Sequence, residues 1–133
     1  MKIIITGAYV IGTHLAKLLS RDHEDITLID EDIERLNKIN TEFDLLTMQA
    51  MPNSIKALKE AGVSNADLFI AVTPDENLNM TSCMLAKALG AKKTVAKIDD
   101  AEYTEPQLHE FFSNLGVSSI ICPEMLAAKD INN

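Results

Sequence analysis

Short apolar runs of strand length alternate with stretches of helical spacing along the chain. Residues 2–6 (KIIIT) form a β-branched run without polar alternation, which is typical of a strand buried on both faces. The pattern predicts strands at residues 2–6, 25–30, 45–48, 67–72, 94–98 and 118–122. It predicts helices at residues 10–19, from 31 onward, at 54–61, 77–89 and 106–114, and after 123.

Strict alternation of strands and helices indicates right-handed crossovers and therefore a doubly wound α/β fold with a parallel six-stranded sheet. The commonest order for such a Rossmann-like sheet, 3-2-1-4-5-6, opens a ligand crevice at the carboxyl ends of the first and fourth strands. We expect residues 1–122 to form one domain and 123–133 a terminal helix. The helix after residue 31 is expected to turn Ile33, Leu36 and Ile39 inward.

The turn after the first strand, residues 7–12 (GAYVIG), carries two glycines of the Gly-x-Gly-x-x-Gly pattern for binding dinucleotides. Gly7 suits the tight turn, and Gly12 suits close packing of the following helix against the strand. Tyr9 replaces the middle glycine, where a pyrophosphate must approach the backbone without a side chain in the way. The turn therefore indicates a site derived from dinucleotide binding and leaves open whether Tyr9 has closed it.

Asp30 ends the second predicted strand, where an acidic side chain accepts hydrogen bonds from a ribose hydroxyl in dinucleotide sites. An Asp at a strand end is also an ordinary turn residue or helix cap. Because Glu31 and Asp32 follow directly, the sequence leaves open which carboxylate matters.

Twenty acidic residues against 12 basic ones give the chain a net charge of −8. This charge disfavours nucleic acids and anionic membrane surfaces as partners. A bound anion must therefore be held locally, for example by N–H groups at a helix start. Cys83 and Cys122 lie in apolar runs and are expected to be buried free thiols of a reducing compartment. No apolar stretch suggests a signal peptide or direct membrane insertion, so we expect a cytoplasmic location.

The chain lacks the motifs of common catalytic sites. Tyr9 and Tyr103 have no Lys four residues later, and there is no Gly-x-Ser-x-Gly elbow or Lys-Ser/Thr phosphate loop. His14, His23 and His109 lie on different predicted elements and indicate no metal site. We therefore expect a protein without enzymatic activity.

Five segments are similar, in order and spacing, to one family: MKIIITGA, DITLID, LKEAGVSNADLFIAVT, VAKIDDAEY and IICPE. Over essentially its whole length the chain resembles the RCK (also KTN) nucleotide-binding domains found in Trk potassium-uptake regulatory proteins. The resemblance implies a cytoplasmic domain, peripheral to the membrane, that binds NAD(H), ATP or ADP. It also implies homodimers or larger rings that gate a membrane potassium-transport subunit, with the terminal helix crossing to a second copy or leading to a further subdomain.

The resemblance also implies roles for particular residues. The glycine turn would line the pyrophosphate, Asp30 or Glu31 the ribose, and Lys97 would face the phosphates. By its own sequence context, Lys97 either meets an anion or extends to the edge of the sheet. The remaining implied site residues are Gly7, Ala8, Tyr9, Val10, Ile11 and Gly12 in the turn, Ala50 and Met51 near the adenine, and Thr73 after the fourth strand.

Two other functions stay open. One is a dimerisation module whose nucleotide site Tyr9 has closed. The other is a cofactor-binding fragment of an NAD-dependent dehydrogenase or epimerase, which would require a separate catalytic domain.

Overall fold

The computed structural model describes residues 1–22, 24–40 and 44–123, and its central element is a parallel sheet. The strands lie in the order β3-β2-β1-β4-β5-β6, and every neighbouring pair is parallel. The predicted doubly wound α/β fold and its strand order are thereby confirmed. The strands are β1 (Lys2–Thr6), β2 (Asp25–Asp30), β3 (Leu46–Gln49), β4 (Leu68–Ala71), β5 (Lys93–Lys97) and β6 (Ser119–Ile121).

The helices begin and end close to the predicted positions. In the described ranges they are α1 (Val10–Arg21), α2 (Ile33–Asn40), α3 (Ile55–Glu60), α4 (Glu76–Ala88) and α5 (His109–Asn114). Ser54 and Asp75 cap α3 and α4 by accepting backbone N–H groups, at 3.2 Å and 3.1 Å respectively. The segment predicted as a helix at 106–114 begins as a 3₁₀ turn, Pro106–Leu108. His23 and residues 124–133, most of the predicted terminal helix, lie outside the described residues.

Alternate residues of β1 supply two hydrophobic layers, one on each face of the sheet. Ile3 and Ile5 pack with buried residues of α1 and α2, whereas Ile4 packs with buried residues of α3 and α4. Helices therefore cover both faces, which explains why the strands read as continuous apolar runs.

Two expectations about burial had different outcomes. Cys83 and Cys122 are buried and free, as predicted. Burial raises the pKa of the Cys83 thiol to about 12, so it stays protonated at neutral pH. The expectation for Ile33 is wrong, because its side chain is 45% exposed while Leu36 and Ile39 are buried. Each three-residue step turns about 60° short of a full circle, so Ile33 and Ile39 lie on opposite sides of Leu36, about 120° apart. The core covers the side that carries Ile39 and leaves Ile33 exposed.

Candidate functional site

A crevice of about 210 Å³ opens at the carboxyl ends of β1, β2, β3 and β4. This is the edge of the sheet where the strand order predicts a ligand. The lining residues come from the four connections that leave these strands: Tyr9, Asp30, Glu31, Arg35, Met51, Pro52, Thr73, Pro74, Asp75 and Leu78.

The two glycines of the turn are required by its geometry. Gly7 has a φ of +103°, and a Cβ there would lie 3.0 Å from the Thr73 backbone nitrogen. A Cβ on Gly12 would lie 1.8 Å from the Gly7 carbonyl oxygen. The glycines therefore allow α1 to start directly against β1 and β4, as the dinucleotide pattern predicts.

Tyr9 occupies the middle position of the turn without backbone strain. Its φ of −91° and ψ of −163° are extended values that any residue adopts. Its carbonyl accepts the Thr13 N–H at 2.9 Å, which starts α1. The Arg35 guanidinium carbon lies 4.1 Å from the centroid of the Tyr9 ring, a cation–π contact. Tyr9 is thus held toward α2 by Arg35.

Asp30 connects β2 to the glycine turn. Its Oδ2 accepts the Ala8 N–H at 2.7 Å, and its Oδ1 accepts the Asp32 N–H at 2.8 Å. The Nε and Nη2 atoms of Arg35 also approach Oδ1, both at 3.1 Å. The side-chain hydrogen bond between Arg35 and Asp30 is the main cause of the raised pKa of Arg35. Three N–H groups saturate Oδ1, and the Asp30 side chain is 2% exposed. A ribose hydroxyl can therefore reach Oδ1 of Asp30 only if Arg35 moves.

The loop after β4 is organised by Asn79, which is fully buried on α4. Its Oδ1 accepts the Thr73 N–H at 2.9 Å and the Thr73 hydroxyl at 2.7 Å. Its Nδ2 donates to the Thr73 and Lys97 carbonyls, both at 2.9 Å. Asn79 therefore fixes Thr73 at the crevice and ties the end of β4 to the end of β5.

The structure brings some of the predicted site residues together and leaves others apart. Asp30, Glu31, Met51 and Thr73 line the crevice with Tyr9. The others do not line the crevice. Lys97 is not a lining residue, and its ammonium pairs with Asp99 at 3.1 Å. Ala50 lies behind the lining, where its N–H donates to the Asp30 carbonyl at 2.9 Å, and Ile11 packs against the core. Ala8 and Val10 line a second concavity that Tyr9 also borders.

Arg35 is a site residue that the sequence analysis missed. It contacts Asp30, pairs with Asp32 at 3.2 Å and covers Tyr9. The available signal was its place in the first turn of the helix after β2, three residues beyond the carboxylates of residues 30–32.

Neither a membrane span nor a metal cluster is found in the described part of the chain. None of its helices has the length and apolar character to cross a membrane. Within residues 1–22, 24–40 and 44–123, no three His, Cys, Asp or Glu side chains are grouped as a metal ion requires.

Solved structures with the same fold support the assignment of the architecture. The TrkA-N domain of the inner membrane protein YbaL from Escherichia coli matches with a TM-score of 0.83 and 12% identity, over 98% of this chain and 93% of that chain. The Shewanella denitrificans Kef CTD in AMP-bound form matches with a TM-score of 0.73 and 18% identity, over 98% and 77%. The GsuK channel bound to NAD matches with a TM-score of 0.68 and 18% identity, over 90% and 21%.

Relatives in sequence are potassium-uptake proteins. The chain is 37% identical over 133 residues to the Trk system potassium uptake protein TrkA of Haemophilus influenzae, and 34% identical over 131 residues to a TrkA homolog of Archaeoglobus fulgidus. These matches cover 98% of this chain and 29% of each relative. The TrkA-N domain profile matches residues 3–123. The chain therefore belongs to the TrkA-N domain family.

Proposed function

We propose that this chain is a regulatory domain of a potassium-uptake protein and that its crevice binds NAD(H), ATP or ADP. The observation that carries the proposal is the contact between Asp30 and the Ala8 N–H, which sets a carboxylate and a glycine turn side by side at the strand ends. The names of its relatives and the nucleotides bound to the Kef and GsuK structures support the same function.

The lining of the crevice suggests how a nucleotide would lie. The start of α1 borders the crevice through Tyr9 and would attract the phosphates, because helix N-termini attract anions. Asp30 and Glu31 would accept ribose hydroxyls once Arg35 has moved. Met51, Pro52 and Leu78 give the crevice apolar surface suited to an adenine ring. Lys97 would join the phosphates only by leaving Asp99.

Calorimetric titration with NADH, NAD, ATP and ADP tests this proposal. We expect at least one ligand to bind with better than millimolar affinity, and no better affinity for any of the four would contradict nucleotide binding. Met51→Glu places a negative charge in the crevice and should weaken binding severalfold. Met84→Glu is a matched control, because Met84 on α4 is similarly exposed, at 39% against 43%, and lies outside the crevice lining.

The Tyr9–Arg35 contact favours a second candidate function, an assembly module with a closed site. Arg35 holds the Tyr9 ring and also saturates one oxygen of Asp30. Tyr9→Gly separates the two functions, with Tyr9→Phe as the control that keeps the ring. If only Tyr9→Gly binds nucleotide, the side chain had closed the site. Binding by the unchanged protein would reject the closed-site function.

Association of copies is proposed to involve the face around α5. Phe111, Leu115 and Tyr103 are 55%, 44% and 40% exposed, and the Tyr103 ring stacks on Phe112 at a centroid distance of 5.7 Å. Such a cluster of exposed apolar rings is typical of an interface. Sedimentation should show a dimer or larger ring at micromolar concentration, and Phe111→Ser should weaken it. A monomer would contradict association. An equal effect of Val10→Ser, at an exposed apolar residue outside this face, would contradict the assignment of the interface to it.

We further propose that the assembled domain acts at the cytoplasmic side of a membrane potassium-transport subunit, with no part for nucleic acid and no catalytic step. The names of its relatives favour this transport function over a fragment of a dehydrogenase or epimerase. Incubation with NADH or ATP should leave both nucleotides unchanged, and turnover would contradict the non-enzymatic assignment.

A further inference from the structure

The ionisable side chains that line the crevice are mostly acidic. Asp30, Glu31 and Asp75 contribute three carboxylates, and Arg35 is the one basic residue of the described lining. Asp30 is buried, whereas Glu31 and Asp75 are exposed. A ligand in the crevice therefore meets exposed carboxylates on two connections, one after β2 and one after β4.

The positive charge of Arg35 is already engaged within the protein. Its guanidinium pairs with Asp30 at 3.1 Å and with Asp32 at 3.2 Å. Lys97, the other basic residue expected at the site, pairs with Asp99 and lies outside the lining. Neither cation can meet a phosphate without giving up a carboxylate, so the described lining offers little to neutralise a chain of phosphates.

The helix starts at the crevice offset the carboxylates only in part. The positive end of α1, equivalent to about half an elementary charge, borders the crevice through Tyr9. The positive end of α4 is compensated, because Asp75 caps it by accepting the Leu78 N–H at 3.1 Å and Glu76 lies in its first turn. One phosphate can be offset at the start of α1, but each further phosphate adds uncompensated negative charge.

We propose that the crevice selects adenine nucleotides by charge and binds a nucleoside monophosphate more tightly than the diphosphate or triphosphate. Glu31 and Asp75 are the specificity-determining residues, because their carboxylates repel additional phosphates. This inference deepens the proposed function of the crevice and rests on it.

Calorimetric titration of the folded chain with AMP, ADP and ATP tests the order of affinity. A chelator is included, because a divalent cation would mask the phosphate charges. We expect AMP to bind about threefold to tenfold more tightly than ATP, as for repulsion between exposed charges, with ADP between them. Tighter binding of ATP than of AMP would overturn the proposal.

The dependence on salt gives a second readout of the same repulsion. Raising the ionic strength from about 0.01 M to about 1 M shortens the Debye length from about 30 Å to about 3 Å. The preference for AMP over ATP should therefore shrink as salt is added. A preference that grows with salt would contradict repulsion by the lining.

Asp75→Asn tests the carboxylate of Asp75 without removing the cap of α4, because Asn caps a helix as well as Asp does. We expect the preference for AMP over ATP to fall about twofold to threefold, and Glu31→Gln should act in the same direction. Asp100→Asn is the matched control, since Asp100 also accepts a backbone N–H at a helical start, from Glu102 at 3.0 Å, but lies outside the crevice lining. An equal change in Asp75→Asn and Asp100→Asn, or an unchanged preference in Asp75→Asn, would overturn the role of Asp75.

Failure of this inference and failure of the proposed function give different results. Affinities that are equal for AMP, ADP and ATP, or that rise from AMP to ATP, would contradict selection by charge while supporting a nucleotide site. Binding of none of these nucleotides, and of neither NAD nor NADH, would contradict the proposed function and the inference with it.

Discussion

A second concavity of about 550 Å³, the α1–α2 groove, lies between α1 and α2. The crevice and the groove share Tyr9 and Arg35 as a common wall but differ in charge. Asp30, Glu31 and Asp75 line the crevice, where Arg35 is the one basic residue of the described lining. The groove has no acidic residue in its described lining and is surrounded by three basic side chains and a histidine: His14, Lys17, Arg35 and Lys38.

This difference shows that the net charge of −8 does not describe either concavity. The ionisable side chains that line the crevice are mostly acidic, whereas those that line the groove are basic. Because Arg35 belongs to both linings, a change in its position alters both concavities.

We expect the most disruptive change to be Gly12→Ala, which displaces the glycine turn that carries Tyr9. The added Cβ would lie 1.8 Å from the Gly7 carbonyl oxygen, a backbone atom that cannot move aside without displacing the turn. We expect the free energy of unfolding, measured with urea, to fall by at least about 2 kcal/mol. Gly62→Ala is the control: it strains a φ of +80° but meets only the flexible Lys2 side chain, and should cost about 1 kcal/mol. A smaller effect of Gly12→Ala than of Gly62→Ala would contradict the close approach.

Asp30→Asn should weaken the contacts of Asp30 with Arg35 and with the glycine turn without adding volume. Asp67→Asn is the matched control, since Asp67 also accepts a backbone N–H, from Lys2 at 2.9 Å, and pairs with Lys92 at 3.0 Å. Asp30 is 2% exposed and the Asp67 side chain 32%, so Asp30→Asn should lower the urea midpoint more. A larger effect of Asp67→Asn would show that the Asp30 contacts contribute little to the fold.

The contribution of Asp67 to stability should depend on pH in a direction that its contacts determine. The hydrogen bonds from Lys2 and Lys92 lower the pKa of Asp67 in the folded chain. Its stabilising contribution is therefore present above the unfolded pKa of about 4 and is lost as the pH falls through the lower folded value. The difference in urea midpoint between the unchanged chain and Asp67→Asn should thus shrink in acid, and a constant difference would contradict the lowered pKa.

Arg35→Gln tests the shielding of Asp30 most directly. Oδ1 of Asp30 would lose its cation and become available to a ribose. We expect nucleotide affinity to rise by about threefold to tenfold in calorimetry. Arg21→Gln, in the last turn of α1 and outside both linings, should leave the affinity unchanged. An unchanged affinity in Arg35→Gln would contradict the shielding of Asp30 by Arg35.

Thr6→Val should have the smallest effect, because Thr6 lies before the glycine turn and lines neither concavity. The Thr6 hydroxyl is buried directly before the glycine turn and has no hydrogen-bond partner among the described residues. Its removal should stabilise the chain by about 0.5 to 1 kcal/mol in urea unfolding. Thr94→Val should instead destabilise it, since the Thr94 hydroxyl donates to the Gly116 carbonyl at 2.5 Å. Destabilisation by Thr6→Val would indicate a partner for its hydroxyl.

The sequence was sufficient for the sheet and for the backbone of the turn. Both depend on local signals: β-branched runs set β1 and β2 to the residue, and Gly7 and Gly12 mark where a Cβ has no space. The expectation for Ile33 was wrong because a short helix offers too few residues to define its buried face.

The side chains of the site were less predictable, because their contacts join distant elements. Nothing in the neighbourhood of Tyr9 indicates that a residue of α2 will cover its ring. Likewise, nothing in the sequence around Asn79 indicates that its amide will bind the ends of β4 and β5. The pairing of Lys97 with Asp99 could be predicted from the sequence, because residues two apart in an extended segment have their side chains on the same side.

The bond between Asp30 and the Ala8 N–H has a consequence for the entropy of binding. The glycine turn is already fixed at 2.7 Å from a buried carboxylate before any ligand arrives. A ligand at the turn therefore does not have to order flexible backbone, which usually costs about 1 to 2 kcal/mol for each residue. The ordering that remains is confined to the Tyr9 and Arg35 side chains, so binding should proceed with little change in the mobility of the main chain.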